Sequence, residues 1–213
     1  MSGMAKALDH LHNCASPTES EKGFGLAEFI MSALIVLTLS AGIFTILADV
    51  ESTAGYQPEV LSVMANTRMA MDAVERYISQ AGNNPQGAAF TPVTITSSTQ
   101  VRLCSDLTGS AGGNQGDPDG DILDGDEDVT IQYNSTARSI EKVLADGTVE
   151  TLATGISAFS LHYFDASGAE TAIGANVQRI GVTITGLSTV ADPHNRKTFG
   201  ITLSSNVKLA NRF

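Results

Sequence analysis

Seven carboxylates stand within twelve residues of this chain, in the run Asp117-Pro118-Asp119-Gly120-Asp121-Ile122-Leu123-Asp124-Gly125-Asp126-Glu127-Asp128. Such a run suits one kind of chemistry. Hard cations such as Ca²⁺ take roughly six to eight oxygen ligands, and closely spaced Asp with Gly lets a loop wrap one ion. The candidate ligands are Asp117, Asp119, Asp121, Asp124 and Asp126, with Asp128 in reserve. The EF-hand order is not followed. Counting from Asp117, the position that needs glycine holds Ile122, and the closing acid is Asp128 rather than Glu. The competing reading is a solvated charge run, which is what such runs usually are. Gly120, Gly125 and the aliphatic pair Ile122-Leu123 are more than a plain charge run requires. Both readings stand at the level of sequence.

Other reactive side chains are sparse. The chain has no nucleophile–base constellation, no phosphate-binding glycine loop and no zinc-type spacing, so the expectation is a protein that is not an enzyme. Its two cysteines are Cys14 and Cys104, and its four histidines are His10, His12, His162 and His194. Cys104 sits in a strand-like segment and reads as a small buried hydrophobe. Twelve Lys and Arg face 23 Asp and Glu, for a net charge of −11. Direct binding to nucleic acid needs clustered Lys and Arg, and no basic stripe is present, so no direct nucleic-acid partner is expected.

The elements that must position the acidic run read as follows. Phe29 to Ala48 is uncharged, and Glu28 is the lone carboxylate at its start. At ~1.5 Å per residue such a helix is ~30 Å long, the thickness of a bilayer's hydrocarbon core. A secretory signal peptide would have a shorter apolar region, ~7–15 residues, before a small-residue cleavage site. An acid at the mouth of a membrane segment is costly without a partner, which points to a partner on another subunit.

Beyond this span, Gly55, Gln57 and Pro58 should interrupt the helix, and Pro58 can open a new segment. From there Val60, Met64, Thr67, Met71, Val74, Ile78 and Ala81 recur at spacings of three and four, a narrow apolar seam widened by Val63, Ala70 and Tyr77. Arg68, Asp72 and Arg76 are spaced for weak pairing on another face. Gly82-Asn83-Asn84-Pro85 is a stop signal.

After Phe90 the period becomes two. Strands are expected at 93–96, 101–104, 129–133, 139–144, 149–152, 159–164, 178–185 and 199–209. Phe159, Leu161 and Tyr163 alternate with Ser160 and His162, and Ile180, Val182 and Ile184 alternate with Gly181 and Thr183. One buried and one wet face predict an antiparallel sheet, with the helix seam over its buried side. Asp146-Gly147 reads as a tight hairpin turn. The predicted fold class is α+β: a long kinked N-terminal helix, membrane-spanning in its first half, packed on a C-terminal antiparallel β-sheet domain.

One further motif lies ahead of the apolar run: Lys22-Gly23-Phe24-Gly25-Leu26-Ala27-Glu28, after a polar segment. In order and kind it resembles the class III signal of type IV prepilins and pseudopilins. The resemblance implies cleavage after Gly23, N-methylation of the new N-terminal Phe24, and an assembly role for Glu28 as the acid at mature position five. It also divides the chain into a cleaved leader 1–23, a transmembrane and filament-core helix 24–54, its amphipathic continuation 55–82, and a β domain 83–213 carrying the acidic loop 117–128. The mature part would keep ten bases and twenty acids, and Cys14 would leave with the leader.

A closer likeness of layout is to PilW-like minor pilins. It rests on Arg68 to Gly82, which includes Met69-Ala70-Met71-Asp72-Ala73-Val74-Glu75-Arg76-Tyr77-Ile78, and on the acidic insert after the first strands and the last strand closing near Asn211-Arg212. Unlike many major pilins, the membrane span has Gly42 but no proline.

The implied function is a minor pilin that enters, or primes assembly of, a type IV pilus. The alternatives are a minor J-type pseudopilin of a type II secretion system and a membrane-anchored, calcium-dependent binding module or adhesin. The implied partners are other pilin subunits through the N-terminal helix, the prepilin peptidase/N-methyltransferase, the inner-membrane assembly platform, and membrane lipid before assembly. The implied location is the bacterial inner membrane, single-pass with the C-terminal domain outside the cytoplasm, and then the pilus or pseudopilus. Calcium is the cofactor that the ion-binding reading of the acidic run implies, and the solvated-loop reading implies none.

Overall fold

The computed structural model describes residues 25–109 and 116–209. It is α+β. Helix α1 spans Leu26–Gln80. Eight strands follow: β1 Val93–Ser97, β2 Gln100–Cys104, β3 Asp128–Asn134, β4 Ser139–Leu144, β5 Val149–Thr154, β6 Ile156–Phe164, β7 Arg179–Ala191 and β8 Thr198–Lys208. All eight coincide with strands expected from the alternation. The predicted processing residues Gly23 and Phe24 lie outside the described residues, as do Asn211 and Arg212.

The chain divides into two compact units at Asp49 and Val50. In the first, the described residues form one apolar helical stretch. An 18-residue window of α1 reaches a mean hydropathy of 2.3 with none of it buried, so the helix is long and apolar enough to cross a membrane. Three of its hydroxyls bond the helix backbone. Ser32 Oγ donates to Glu28 O (2.8 Å), Thr38 Oγ1 to Ile35 O (2.9 Å) and Thr45 Oγ1 to Gly42 O (2.7 Å). Back-bonding of this kind satisfies hydroxyls without water.

The second unit holds the rest of α1 and both sheets. The helix runs through Gly55 and Pro58 without the interruption that the sequence suggested. Proline removes one backbone bond and crowds the preceding turn, but side chains on either side of it are tied to the β7–β8 end. Thr53 Oγ1 lies 3.2 Å from His194 Nε2, and Glu59 Oε1 accepts from Thr189 N and Thr189 Oγ1, both at 2.9 Å. The buried face of α1 is Val63, Thr67, Ala70, Met71, Val74, Tyr77 and Ile78. Met64, expected on the seam, is 42% exposed. Arg68, Asp72 and Arg76 form no ion pairs with one another; Arg76 lies 5.0 Å from the Tyr77 ring centroid instead.

The strands form two antiparallel sheets rather than one, a five-stranded meander β1-β2-β3-β4-β5 and a three-stranded sheet β6-β7-β8. The division falls at Gly155, whose φ of 76° is a left-handed conformation that favours glycine. It joins β5 directly to β6, which pairs with β7 and not with β5. Both sheets send apolar side chains into one core under α1: Val101, Ile131 and Ile140 from the first, and Phe159, Leu161, Ile180, Val182 and Ile184 from the second, against Val74 and Ile78. The β4–β5 hairpin turns at Asp146-Gly147 as predicted, with Gly147 at φ 86° and Asp146 Oδ1 accepting from Thr148 N at 2.8 Å.

Candidate metal loop

The β2–β3 connection begins where α1 ends. Gly82 N donates to Cys104 O (2.9 Å) and Asp106 N to Asn83 O (2.8 Å), so the helix stop and the end of β2 hold each other. Cys104 is a free, buried strand residue, as expected. Burial pushes its thiol up to about 11, helped by the nearby Asp128 carboxylate, which keeps it protonated and inert.

Two fully buried acids carry the loop. Glu127 Oε1 accepts from the backbone N–H groups of Leu107 (2.6 Å) and Thr108 (2.7 Å), and its Oε2 accepts from Asp124 N (3.3 Å). One carboxylate thus binds both arms of the connection. Asp106 Oδ2 accepts from Gly120 N at 3.1 Å, while its Oδ1 is buried without a hydrogen-bond partner. Gln86 Nε2 reaches Pro118 O at 3.2 Å from outside. Sequence reading did not single out Asp106, and it treated Glu127 as one more acid of the run. Nothing local distinguishes either residue; their burial comes from packing.

The six predicted ligands separate into three groups. Asp119, Asp121 and Asp124 each place one carboxylate oxygen within 4.8 Å of the others. Asp126 faces Lys142, and Asp128 meets the Arg102 guanidinium through both oxygens at 2.6 Å. Asp117 is exposed and makes no hydrogen bond or ion pair with the described residues. Lys142, on β4, also reaches Glu150 at 2.8 Å. Burial alone would lower its pKa, but the bonds to Asp126 and Glu150 outweigh burial, and the net shift is upward. The loop is therefore pinned to β4 at Asp126 and to β2 at Asp128, with three carboxylates left to converge.

That triad is open to a cation. With Ca²⁺–oxygen distances of roughly 2.3–2.6 Å, ligands on opposite sides of the ion are about 5 Å apart. A set of oxygens within 4.8 Å fits around one ion. Asp124 Oδ2 is also buried without a partner, an arrangement that costs stability when no cation is near.

The remaining candidate side chains are elsewhere. Glu28 occupies the third helical position and its Oε2 accepts from Gly25 N at 3.1 Å, capping α1 within its own chain. His162 Nδ1 lies 3.0 Å from Glu170 in an open groove of about 480 Å³ that Ser97 and Ser98 also line. The Ser97 hydroxyl faces Thr99 at 3.3 Å.

No protein-family model matches this chain. None of the curated proteins compared with it matches either.

Proposed function

We propose that this chain is a minor pilin, held in a membrane by α1 and then carried into a type IV pilus or its priming complex, where its role is structural. The observation that carries this reading is the helix itself. From Leu26 to Ala48 it is apolar on every side, unburied, and charged only at Glu28. A helix of that kind needs lipid or other helices around it. The domain built on its second half, with a seam of α1 laid over antiparallel sheets, supports the same reading. Glu28 commits Oε2 to Gly25 N, and among the described residues Oε1 has no partner. In a packed apolar bundle that oxygen would meet a cation, for which the free amine of a neighbouring Phe24 is suited. The domain would lie outside the cytoplasm, with Ca²⁺ held by Asp119, Asp121 and Asp124.

The deciding experiment is the mass of the mature N-terminus after co-expression with a prepilin peptidase. The expected product begins at Phe24 and carries one added methyl group, and Gly23→Glu blocks its formation. A product beginning elsewhere removes the reading. Glu28→Val should give a cleaved and folded protein that joins filaments poorly, and normal incorporation of this variant would count equally against it.

A further inference from the structure

Among the described residues, two cations without an ion-pair partner stand side by side on neighbouring strands. Arg179 opens β7, and its register partner on β8 is Lys208. Neither makes an ion pair with the described residues. Phe164 is the partner of Arg179 on β6, so the three residues form a row on the outward face of the sheet. The guanidinium carbon of Arg179 lies 4.6 Å from the Phe164 ring centroid. Gly181 keeps that space clear, since a Cβ there would come within 3.2 Å of Phe164 Cε2 and of Asn206 Oδ1.

Like charges directly opposite on neighbouring strands destabilise a sheet. Arg179 Nε is, in addition, buried without a hydrogen-bond partner. The two cations line an open groove of about 410 Å³. Its one acid, Asp165, is already committed, because Oδ1 accepts from Ser167 N (2.8 Å), Ser167 Oγ (2.6 Å) and Ala169 N (3.0 Å). Against two cations the groove holds one carboxylate, so it is one negative charge short, and it has room for another anion.

The same domain exposes the complementary charge at the same height. Glu59 bonds Thr189 and Thr67 packs on Gly186, so β7 runs antiparallel to α1 and its Arg179 end lies toward Gln80. The acidic loop is at that end too, where Asp126 shares a groove with Tyr77 and Gln80. Its exposed carboxylates are Asp117, Asp121 and Asp126, of which Asp126 is already paired with Lys142. Two copies standing side by side with parallel helices bring one copy's loop level with the other's row.

We propose that Arg179 and Lys208 of one copy receive the Asp117 and Asp121 carboxylates of a second copy. The contact joins unlike surfaces, so each pair leaves one loop and one row unused and the contact can repeat. It depends on neither cleavage at Gly23 nor bound calcium.

The test uses the full chain in detergent, with calcium chelated. Light and ¹⁵N-labelled copies are mixed, coupled with a zero-length carbodiimide and mapped by mass spectrometry. The expected result is mixed-isotope peptides joining Lys208 to Asp117 or Asp121. Their yield should fall at least about tenfold in Arg179→Glu, in which the Lys208 amine is intact. It should return when Arg179→Glu is mixed with copies carrying Asp117→Arg, read as restored association by sedimentation. Arg179→Gln serves if the Glu variant does not fold. Single-isotope coupling only, coupling of Lys208 to other carboxylates, or a yield unchanged by both Arg179 variants would overturn the proposal. So would protection of Lys208 by millimolar orthophosphate without any mixed-isotope product, since the groove would then be a site for a free anion.

Discussion

Thr67 of α1 packs directly on Gly186 of β7, with no room between them for a side chain. A Cβ on Gly186 would collide with Thr67 Oγ1 and come within 3.1 Å of Val63 Cγ1. Thr67 is fully buried, and its hydroxyl is satisfied by Val63 O at 2.7 Å, so it cannot swing aside without losing that bond. This contact sets how closely the helix approaches the three-stranded sheet. Gly186→Val should therefore push α1 off β7 and destabilise the domain by about 1–3 kcal/mol, the usual range for overpacking. Gly200→Ala, on the neighbouring strand, meets Leu187 Cδ1 at 3.4 Å and Gly186 O at 3.7 Å, ordinary contacts, and should be near neutral. Denaturant melts of the two variants decide this; equal midpoints would show that the contact yields easily.

Glu127 is the acid on which the β2–β3 connection depends. Glu127→Ala strips acceptors from three backbone N–H groups, two of them on the Leu107–Thr108 arm. A buried donor left unpaired costs ~1–3 kcal/mol, so the total should exceed that of a typical core substitution. Asp117→Ala, ten residues earlier and exposed, should cost nothing measurable. Limited proteolysis provides the local readout, with faster cutting expected within 105–127 in Glu127→Ala.

Calcium should raise the melting temperature of the full chain. An ion that binds only the folded form stabilises by roughly 2.7 kcal/mol at a hundredfold excess over Kd. Asp121→Ala and Asp124→Asn should remove most of the rise, because both residues belong to the converging triad. Asp126→Asn should retain it while lowering stability without calcium, since Asp126 neutralises Lys142. A wild-type melting temperature indifferent to calcium and chelator would mean that the triad is solvated only by water.

Acid should weaken the five-stranded sheet through Glu141. Its carboxylate accepts from Gln132 Nε2 (3.1 Å), Asn134 Nδ2 (2.9 Å) and Ser139 Oγ (2.9 Å). The Gln132 bond is the largest influence, and together they hold the pKa below the ordinary 4.5. A carboxylate with a depressed folded-state pKa adds stability above its unfolded pKa, and that stability is lost as pH falls through the folded value. The loss should begin below about pH 4.5 and continue into more acid solution. In Glu141→Gln the slope of stability against pH over that range should be shallower. An identical acid limb in both proteins would assign the effect to other carboxylates.

Much of this architecture is written locally. Apolar residues alternating with polar ones at 159–164 and 180–184 mark strands with one dry face, whatever they pair with. Twenty uncharged residues after Glu28 specify an unburied apolar helix by length and composition alone. Asp146-Gly147 makes its turn because Gly147 tolerates a positive φ and Asp146 bonds Thr148 two residues on. Cys104 is buried although the alternation puts it on the face of exposed Arg102, where its Sγ lies 3.7 Å from Asp128 Oδ1.

What the sequence left open is partnership. A period of two says which residues share a face but not which strand lies alongside, so the division into two sheets at Gly155 emerges only when β6 pairs with β7. The acids of the 117–128 run are chemically alike in the sequence, and long-range neighbours make them different. Arg102, 26 residues away, claims Asp128; Lys142, 16 away, claims Asp126; and the Leu107–Thr108 backbone claims Glu127. Once those partners have taken their share, four acids remain, of which Asp117 stays exposed and Asp119, Asp121 and Asp124 converge, because a carboxylate's role depends on which donors the folded chain brings within hydrogen-bond reach.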